Sequence, residues 1–152
     1  MSSSEPSSAW GRSRSWASSR NRFWLRAGSW CRGEALCAHA RELAPYFQQR
    51  LRELDGLPIV GEVRGMGLLA GVEFVIDRRS KKSFAPEVGI GRRIAAACRI
   101  RGVIVRALGN TVGISPPLIV TREHVDTLVD VLRESIHAVI DELVKSGTRI
   151  DA

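Results

Sequence analysis

A chain of 152 residues, 44% hydrophobic and 26% charged, has material for one globular domain and too little for two. It holds no apolar run near the roughly 18–20 residues that a membrane helix needs, and residues 1–30 lack the apolar stretch of a secretory signal, so the expected compartment is cytoplasmic with no membrane partner. The net charge of +7 and pI near 10.3 point first to a nucleic-acid binder, but the charge is lopsided: residues 1–33 carry six arginines against Glu5, while residues 34–152 carry 17 basic and 15 acidic side chains.

Residues 2–30 contain ten serines and all four tryptophans, with no apolar periodicity. Such a composition offers too little aliphatic surface to offset chain entropy. Residues 1–33 are expected to be a disordered basic segment or the product of a shifted reading frame in a GC-rich gene. As a genuine tail, its arginines and interleaved tryptophans could contact nucleic acid or a membrane surface. Cys31, Cys37 and Cys98 are odd in number and imply no disulfide framework. Cys31, Cys37 and His39 cluster, but their spacing matches no common zinc module and lacks a fourth ligand, so no metal is expected.

At Glu34 the composition changes. Leu36, Ala40, Leu43, Phe47, Leu51 and Leu54 recur at helical spacing, which predicts a helix that kinks or restarts at Pro45 and ends at Asp55-Gly56 and Pro58. Ile59–Arg64 and Leu68–Ile76 read as strands, joined by a tight reversal for which Gly65 and Gly67 supply the backbone freedom. Asp77–Ser83 reads as a polar loop. Pro86 and Glu87 open a second helix expected to run to Arg101, where Gly102 stops it, with Ile90, Ile94, Ala97 and Cys98 inward. Val103–Arg106 and Thr111–Ser115 are predicted strands around a Leu108-Gly109-Asn110 turn. Pro116-Pro117 ends the sheet. Thr121 is placed to N-cap a last helix with Val125, Leu128, Val129, Leu132, Ile136, Ile140 and Leu143 on one face. The order predicts an α+β two-layer domain, a small antiparallel sheet covered by helices.

Such a fold hosts unrelated functions. The strands offer only Phe74 for base stacking, which argues against RNA or other nucleic acid as the domain's partner. His39, His124 and His137 lie on predicted helices without a Ser or Cys motif, so no nucleophile–base constellation is expected. The glycines at 61, 65, 67 and 71 lie in or between strands and do not lead into a helix N-terminus, so they are hairpin glycines and not a phosphate cradle.

Val60–Glu73, read as VGEVRGMGLLAGVE, resembles the VGxVRGxGLxxGxE pattern in the C-terminal small domain of class III pyridoxal-phosphate aminotransferases. Arg101–Arg106 resembles the family's RGxIxR strand, and Ser115–Thr121 its xPPLxxT entry to the last helix. Upstream, Arg41–Leu43, Tyr46-Phe47 and Leu51–Leu54 resemble the helix that precedes these motifs. The resemblance covers residues 34–145, leaving 146–152 as a tail, and implies the C-terminal domain of a fold-type I enzyme. By this resemblance the full-length family uses pyridoxal 5'-phosphate to exchange an amino group between an amine or ω-amino acid and a 2-oxo acid such as pyruvate.

The family's Schiff-base lysine, its pyridine-nitrogen aspartate and its phosphate loops belong to a large domain not represented in these motifs. Lys81, Lys82 and Lys145, the chain's only lysines, match no lysine motif. The resemblance therefore implies that this chain alone is an inactive fragment, does not hold the cofactor, and forms the family's homodimer only with a large domain. One family subgroup binds the substrate carboxylate through an arginine in R-x-x-PPL, a position that is Gly113 here. The ω-amine and β-alanine:pyruvate subgroup uses a mobile arginine in an IVRxxG turn, which matches Arg106-Ala107-Leu108-Gly109 and assigns carboxylate binding to Arg106. Arg64 is expected to be structural, anchoring the hairpin or pairing with Glu62 or Glu73. A second reading is a non-enzymatic binding or regulatory module of the same layered fold with a basic N-terminal tail.

Overall fold

The computed structural model describes residues 29–147, with side chains from residue 33 onward. The chain divides into two compact units, Met1–Ala35 and Leu36–Ala152, and of the first only the opening residues of its helix are described. Expectations for residues 1–28 and 148–152, and for the side chains of Cys31 and Arg32, lie outside the described residues.

Helix α1 (Ser29–Arg52) begins upstream of the compositional boundary at Glu34, and a 3-10 turn, Glu53–Gly56, follows it. It runs through Pro45 without the expected restart, because Pro45 lies on the exposed side while Leu43, Phe47, Leu51 and, in the turn, Leu54 are all buried. Packing on both sides of the proline outweighs the one missing backbone donor. Strands β1 (Val60–Met66) and β2 (Leu69–Asp77) pair antiparallel. The reversal is tighter than expected: Met66 faces Leu69, and only Gly67, at φ +61°, takes the left-handed turn position. Gly65 lies inside β1, where a Cβ would collide with the Leu69 carbonyl oxygen and sit 2.8 Å from the Gln48 amide. Its role is close approach and not the turn.

The segment after β2 is more than a loop. Asp77 accepts hydrogen bonds from the Arg79 and Ser80 amides, and the chain turns back to pair β3 (Lys82–Ser83) with β2. The expected Pro86–Arg101 helix is two pieces, a 3-10 turn at Pro86–Val88 and α2 (Ile90–Ile100). Gly89 between them has φ +60°, a conformation no continuous helix contains. The second hairpin is β4 (Arg106–Leu108) with β5 (Thr111–Ile114). Val103 and Val105 pack against the core without joining a ladder, so the strand expected at Val103–Arg106 is shifted toward the turn. Last comes α3 (Arg122–Lys145), capped by Thr121 as expected, with His124 completing a reciprocal capping box.

The main sheet order is β1-β2-β5-β4, antiparallel throughout. Val60, Ala70, Val72, Phe74, Val112 and Ile114 point to one face and share a single core with Phe47 and Leu51 of α1, Ile90, Ile94 and Cys98 of α2, and Val125 through Leu143 of α3. This is the predicted α+β architecture of helices on one side of an antiparallel sheet. The opposite face carries Glu62, Arg64, Met66, Leu69, Gly71, Glu73, Thr111, Gly113, Arg106 and Leu108, by strand alternation and register.

A polar network ties α1 to α3 across 76 to 80 residues of sequence. The Tyr46 hydroxyl donates to Asp126 at 2.6 Å, and Arg50 Nε donates to the same oxygen at 2.8 Å. Arg50 also bonds Glu53, Arg133 reaches Glu53 at 3.1 Å, and Arg122 lies over the Tyr46 ring at 5.0 Å. The Tyr46 hydroxyl, then Arg50, holds the Asp126 carboxyl below its ordinary 3.8, while Arg50 holds Glu53 below 4.5. Asp77 is lowered as well, by Ser80 and the Arg79 amide. Depressed folded-state values contribute stability above the unfolded pKa that is lost as pH falls through the folded one. We expect urea-unfolding midpoints to be flat between pH 7 and about 5 and to fall below about pH 4. Asp126→Asn should make that acid slope shallower.

Candidate active-site face

Arg106 is the first residue of the edge strand β4, and the turn that follows this strand is held by Gly91, Phe84 and Phe74. Gly91, in the first turn of α2, packs so tightly under the β4–β5 turn that a Cβ there would meet the Gly109 carbonyl oxygen at 2.5 Å and that of Thr111 at 3.1 Å. The Asn110 side chain donates to Phe84 O at 2.7 Å, and the Phe74 amide donates to Asn110 O at 2.9 Å. Gly109, at φ +61°, closes the turn. The strand is thus anchored from behind, while the Arg106 side chain is exposed and its guanidinium has no hydrogen-bond or ion-pair partner among the described residues.

The register places this arginine in a row. Arg106 faces Gly113, Gly113 faces Gly71, and Gly71 faces Arg64. Directly opposed residues project on one face, so two arginines flank a floor of two glycines, about 14 Å apart at three strand spacings of ~4.8 Å. The two guanidinia differ in state. Arg64 lies 3.7 Å from Glu62 and 3.8 Å from Glu73, the pairing expected of it with both candidate partners at once. Arg106 has no such partner among the described residues. Leu108 leans over the floor: its Cδ1 is 3.3 Å from the point a Cβ on Gly113 would occupy.

Other sequence candidates lie elsewhere. His39 Nε2 is 2.7 Å from Val120 O, at the start of a link between α1 and the α3 entry, and Cys37 is exposed. His137 is exposed on α3. Lys81 is in the turn before β3 at φ +53°, Lys82 is in β3, and Lys145 ends α3, all exposed. Four surface grooves of about 460, 340, 270 and 260 Å³ are lined without a lysine. The first, between Gly102–Ile104, Pro116-Pro117 and His124–Leu128, is mostly apolar. The glycine floor, Leu108, Thr111 and Glu73 were not singled out by sequence as parts of one face; only the register joins them.

The Aminotransferase class-III family model matches residues 29–136, well over half of the chain. The chain belongs to the class III aminotransferase family. An uncharacterised aminotransferase of Sinorhizobium fredii is 46% identical over 120 residues, covering 77% of this chain and 26% of its own length. A mitochondrial gamma-aminobutyrate transaminase of rice, Oryza sativa subsp. indica, is 38% identical over 100 residues, covering 66% and 19%. Among solved structures, the omega-transferase from Vibrio fluvialis JS17 superposes with a TM-score of 0.72 at 36% identity, covering 74% of this chain and 27% of its own. A PLP-bound mutant aminotransferase from Vibrio fluvialis gives a TM-score of 0.70 at 36% identity, covering 72% and 24%. The chain thus spans about a quarter of the length of the aminotransferases it matches. Among the described residues no helix is long and apolar enough to cross a membrane.

Proposed function

We propose that this chain is the carboxylate-reading domain of a class III transaminase that exchanges an amino group between an amine or ω-amino acid and a 2-oxo acid such as pyruvate, with Arg106 receiving the substrate carboxylate. The observation that carries the reading is the contrast between two arginines of one face: Arg64 lies beside Glu62 and Glu73, and Arg106, in the family's IVRxxG turn, has no ion-pair or hydrogen-bond partner among the described residues. A planar guanidinium with paired donors fits a carboxylate bidentately. A side chain without a resident partner can also turn away when the substrate is an apolar amine.

Pyridoxal phosphate supplies an electron sink when a lysine imine and an acid at its ring nitrogen hold it. The described residues do not fit that group. Lys81, Lys82 and Lys145 are all exposed and none lines the four grooves described above; Lys82 pairs across the β2–β3 ladder with Asp77, whose carboxylate is taken up by the Arg79 and Ser80 amides at the surface. We therefore assign cofactor binding, amine transfer and the dimer contacts that accompany them to the three-quarters of the family length outside this match, and propose negligible exchange by this chain alone. A cytoplasmic location belongs to the same proposal.

The carboxylate assignment is tested on the whole 152-residue chain by titrating propionate and β-alanine while following backbone amide resonances. We expect weak binding that moves the amides of Ala107, Leu108 and Gly113. Arg106→Ala should weaken it about fivefold, the ceiling for a solvent-exposed guanidinium–carboxylate pair. Equal binding by Arg106→Ala would remove the assignment.

A further inference from the structure

Residues 78–82 place Arg78, Arg79, Lys81 and Lys82, four cations in five positions, on one exposed turn between β2 and β3. The turn has a fixed shape. Val75 faces Ser83 and Asp77 faces Lys82 across the ladder, and Asp77 accepts hydrogen bonds from the Arg79 amide at 2.8 Å, the Ser80 amide at 3.2 Å and the Ser80 hydroxyl. Lys81 holds φ +53°, a left-handed position that a lysine takes where the surrounding turn imposes it. The two acids that the turn touches are engaged by backbone groups. Asp77 is taken up as above, and Arg78 donates to the Asp55 backbone carbonyl while the Asp55 carboxylate accepts the Val63 amide at 3.1 Å. Arg79, Lys81 and Lys82 have no ion-pair partner among the described residues. Even with both carboxylates counted, this corner keeps positive charge in excess.

We propose that the β2–β3 turn is a sequence-independent contact for the phosphate backbone of a nucleic acid, made by Arg79, Lys81 and Lys82 on a frame held by Arg78 and Asp77. The absence of stacking aromatics on the sheet excludes base reading, and Phe74 is fully buried, but backbone contact needs no aromatic. It needs dense positive charge and no pocket, because its driving force is the release of counterions condensed on the phosphates. The turn has that character: none of the four grooves described above is lined by residues 78–83. A specific protein partner would want a buried apolar anchor at the centre of the contact, and exposed ion pairs alone contribute little. A membrane surface would want an apolar side chain to insert. Phe84, the aromatic next to this hairpin, is 2% exposed and belongs to the core.

The test titrates a short duplex DNA of scrambled sequence with the full chain, by fluorescence anisotropy over a series of salt concentrations. The turn variant Arg79→Gln/Lys81→Asn/Lys82→Gln uses asparagine where the left-handed backbone requires a tolerant residue. Its charge-matched control, Arg12→Gln/Arg14→Gln/Arg20→Gln, removes the same charge from the N-terminal segment. We expect the turn variant to lose about tenfold in affinity near physiological salt and its slope of log affinity against log salt to become shallower by about 2, since each phosphate contact contributes about 0.9. The control should lose less than the turn variant. In the parent, duplex DNA should move the amide resonances of residues 77–83.

An equal or greater loss in the charge-matched control would overturn the proposal, because net charge and not the turn would then carry the binding. Mixed phosphatidylglycerol–phosphatidylcholine vesicles and polyglutamate are titrated at the same salt. Either of them bound as tightly as the duplex, with the turn variant abolishing it, would give the turn to a membrane or an acidic protein and overturn the phosphate-backbone assignment. Should the turn variant not fold, the parent decides: amide resonances of residues 77–83 unmoved by saturating duplex overturn the proposal.

Discussion

Phe47→Ala is expected to cost about 3–5 kcal/mol of folding stability, the range for truncating a fully buried phenylalanine. Phe47 is wholly excluded from solvent on α1, at the centre of the stripe Leu43, Phe47, Leu51 that seals α1 onto the sheet and α3. The loss combines transfer of the ring back to water with the cavity it leaves. A domain of this size is stable by about 5–15 kcal/mol in all, so the variant would sit near its unfolding threshold at room temperature. In thermal denaturation followed by circular dichroism, the midpoint should drop by on the order of 15 °C. A drop of only a few degrees would mean that α1 is not part of the cooperative core.

Gly91→Ala should destabilise by about 1–3 kcal/mol, although alanine is the better helix former by about 1 kcal/mol. The new methyl group would be driven into the Gly109 and Thr111 carbonyl oxygens, backbone atoms of the hairpin that carries Arg106. The helix cannot yield without moving Ile90 and Ile94, both fully buried, so the hairpin must shift. The expected signature is local: amide resonances of residues 106–113 move, and propionate binding weakens although no ligand-contacting side chain has changed. Gly33→Ala, on α1 with nothing within 4 Å of the added carbon, is the matched control and should be neutral or stabilising by up to about 1 kcal/mol. Equal stability of Gly91→Ala and the parent, with the hairpin resonances in place, would contradict the packing described.

The helices were legible because Leu43, Phe47 and Leu51, or Val125, Val129, Leu132 and Ile136, repeat at the period of the structure they form. The hairpins were legible from alternation interrupted by glycine. What stayed hidden depends on partners distant in sequence. Gly65 and Gly67 flank Met66 symmetrically, and only the Met66–Leu69 register shows that one turns while the other makes room for Leu69 and Gln48. Pro86-Glu87 signals a helix start and a 3-10 turn equally well; the positive φ of Gly89 separates them. Val103-Ile104-Val105 has strand propensity, but β5 offers Arg106, Ala107 and Leu108 its ladder, and propensity yields to pairing.

The same holds for the site. The IVRxxG resemblance singled out Arg106, and alternation gives the face of each residue. The row Arg64–Gly71–Gly113–Arg106 needs three registers that no local pattern contains. The Tyr46–Asp126–Arg50 network likewise joins helices 80 residues apart, and nothing in either helix announces the other.

The division of labour proposed here, substrate carboxylate on this chain and amine chemistry elsewhere, is most directly tested by incubating the purified 152-residue chain alone with pyridoxal phosphate, β-alanine and pyruvate and measuring alanine formed. We expect no alanine above the protein-free control and no lysine–aldimine absorbance on cofactor titration. Sustained turnover that scales with the concentration of this chain, with no other protein present, would contradict it.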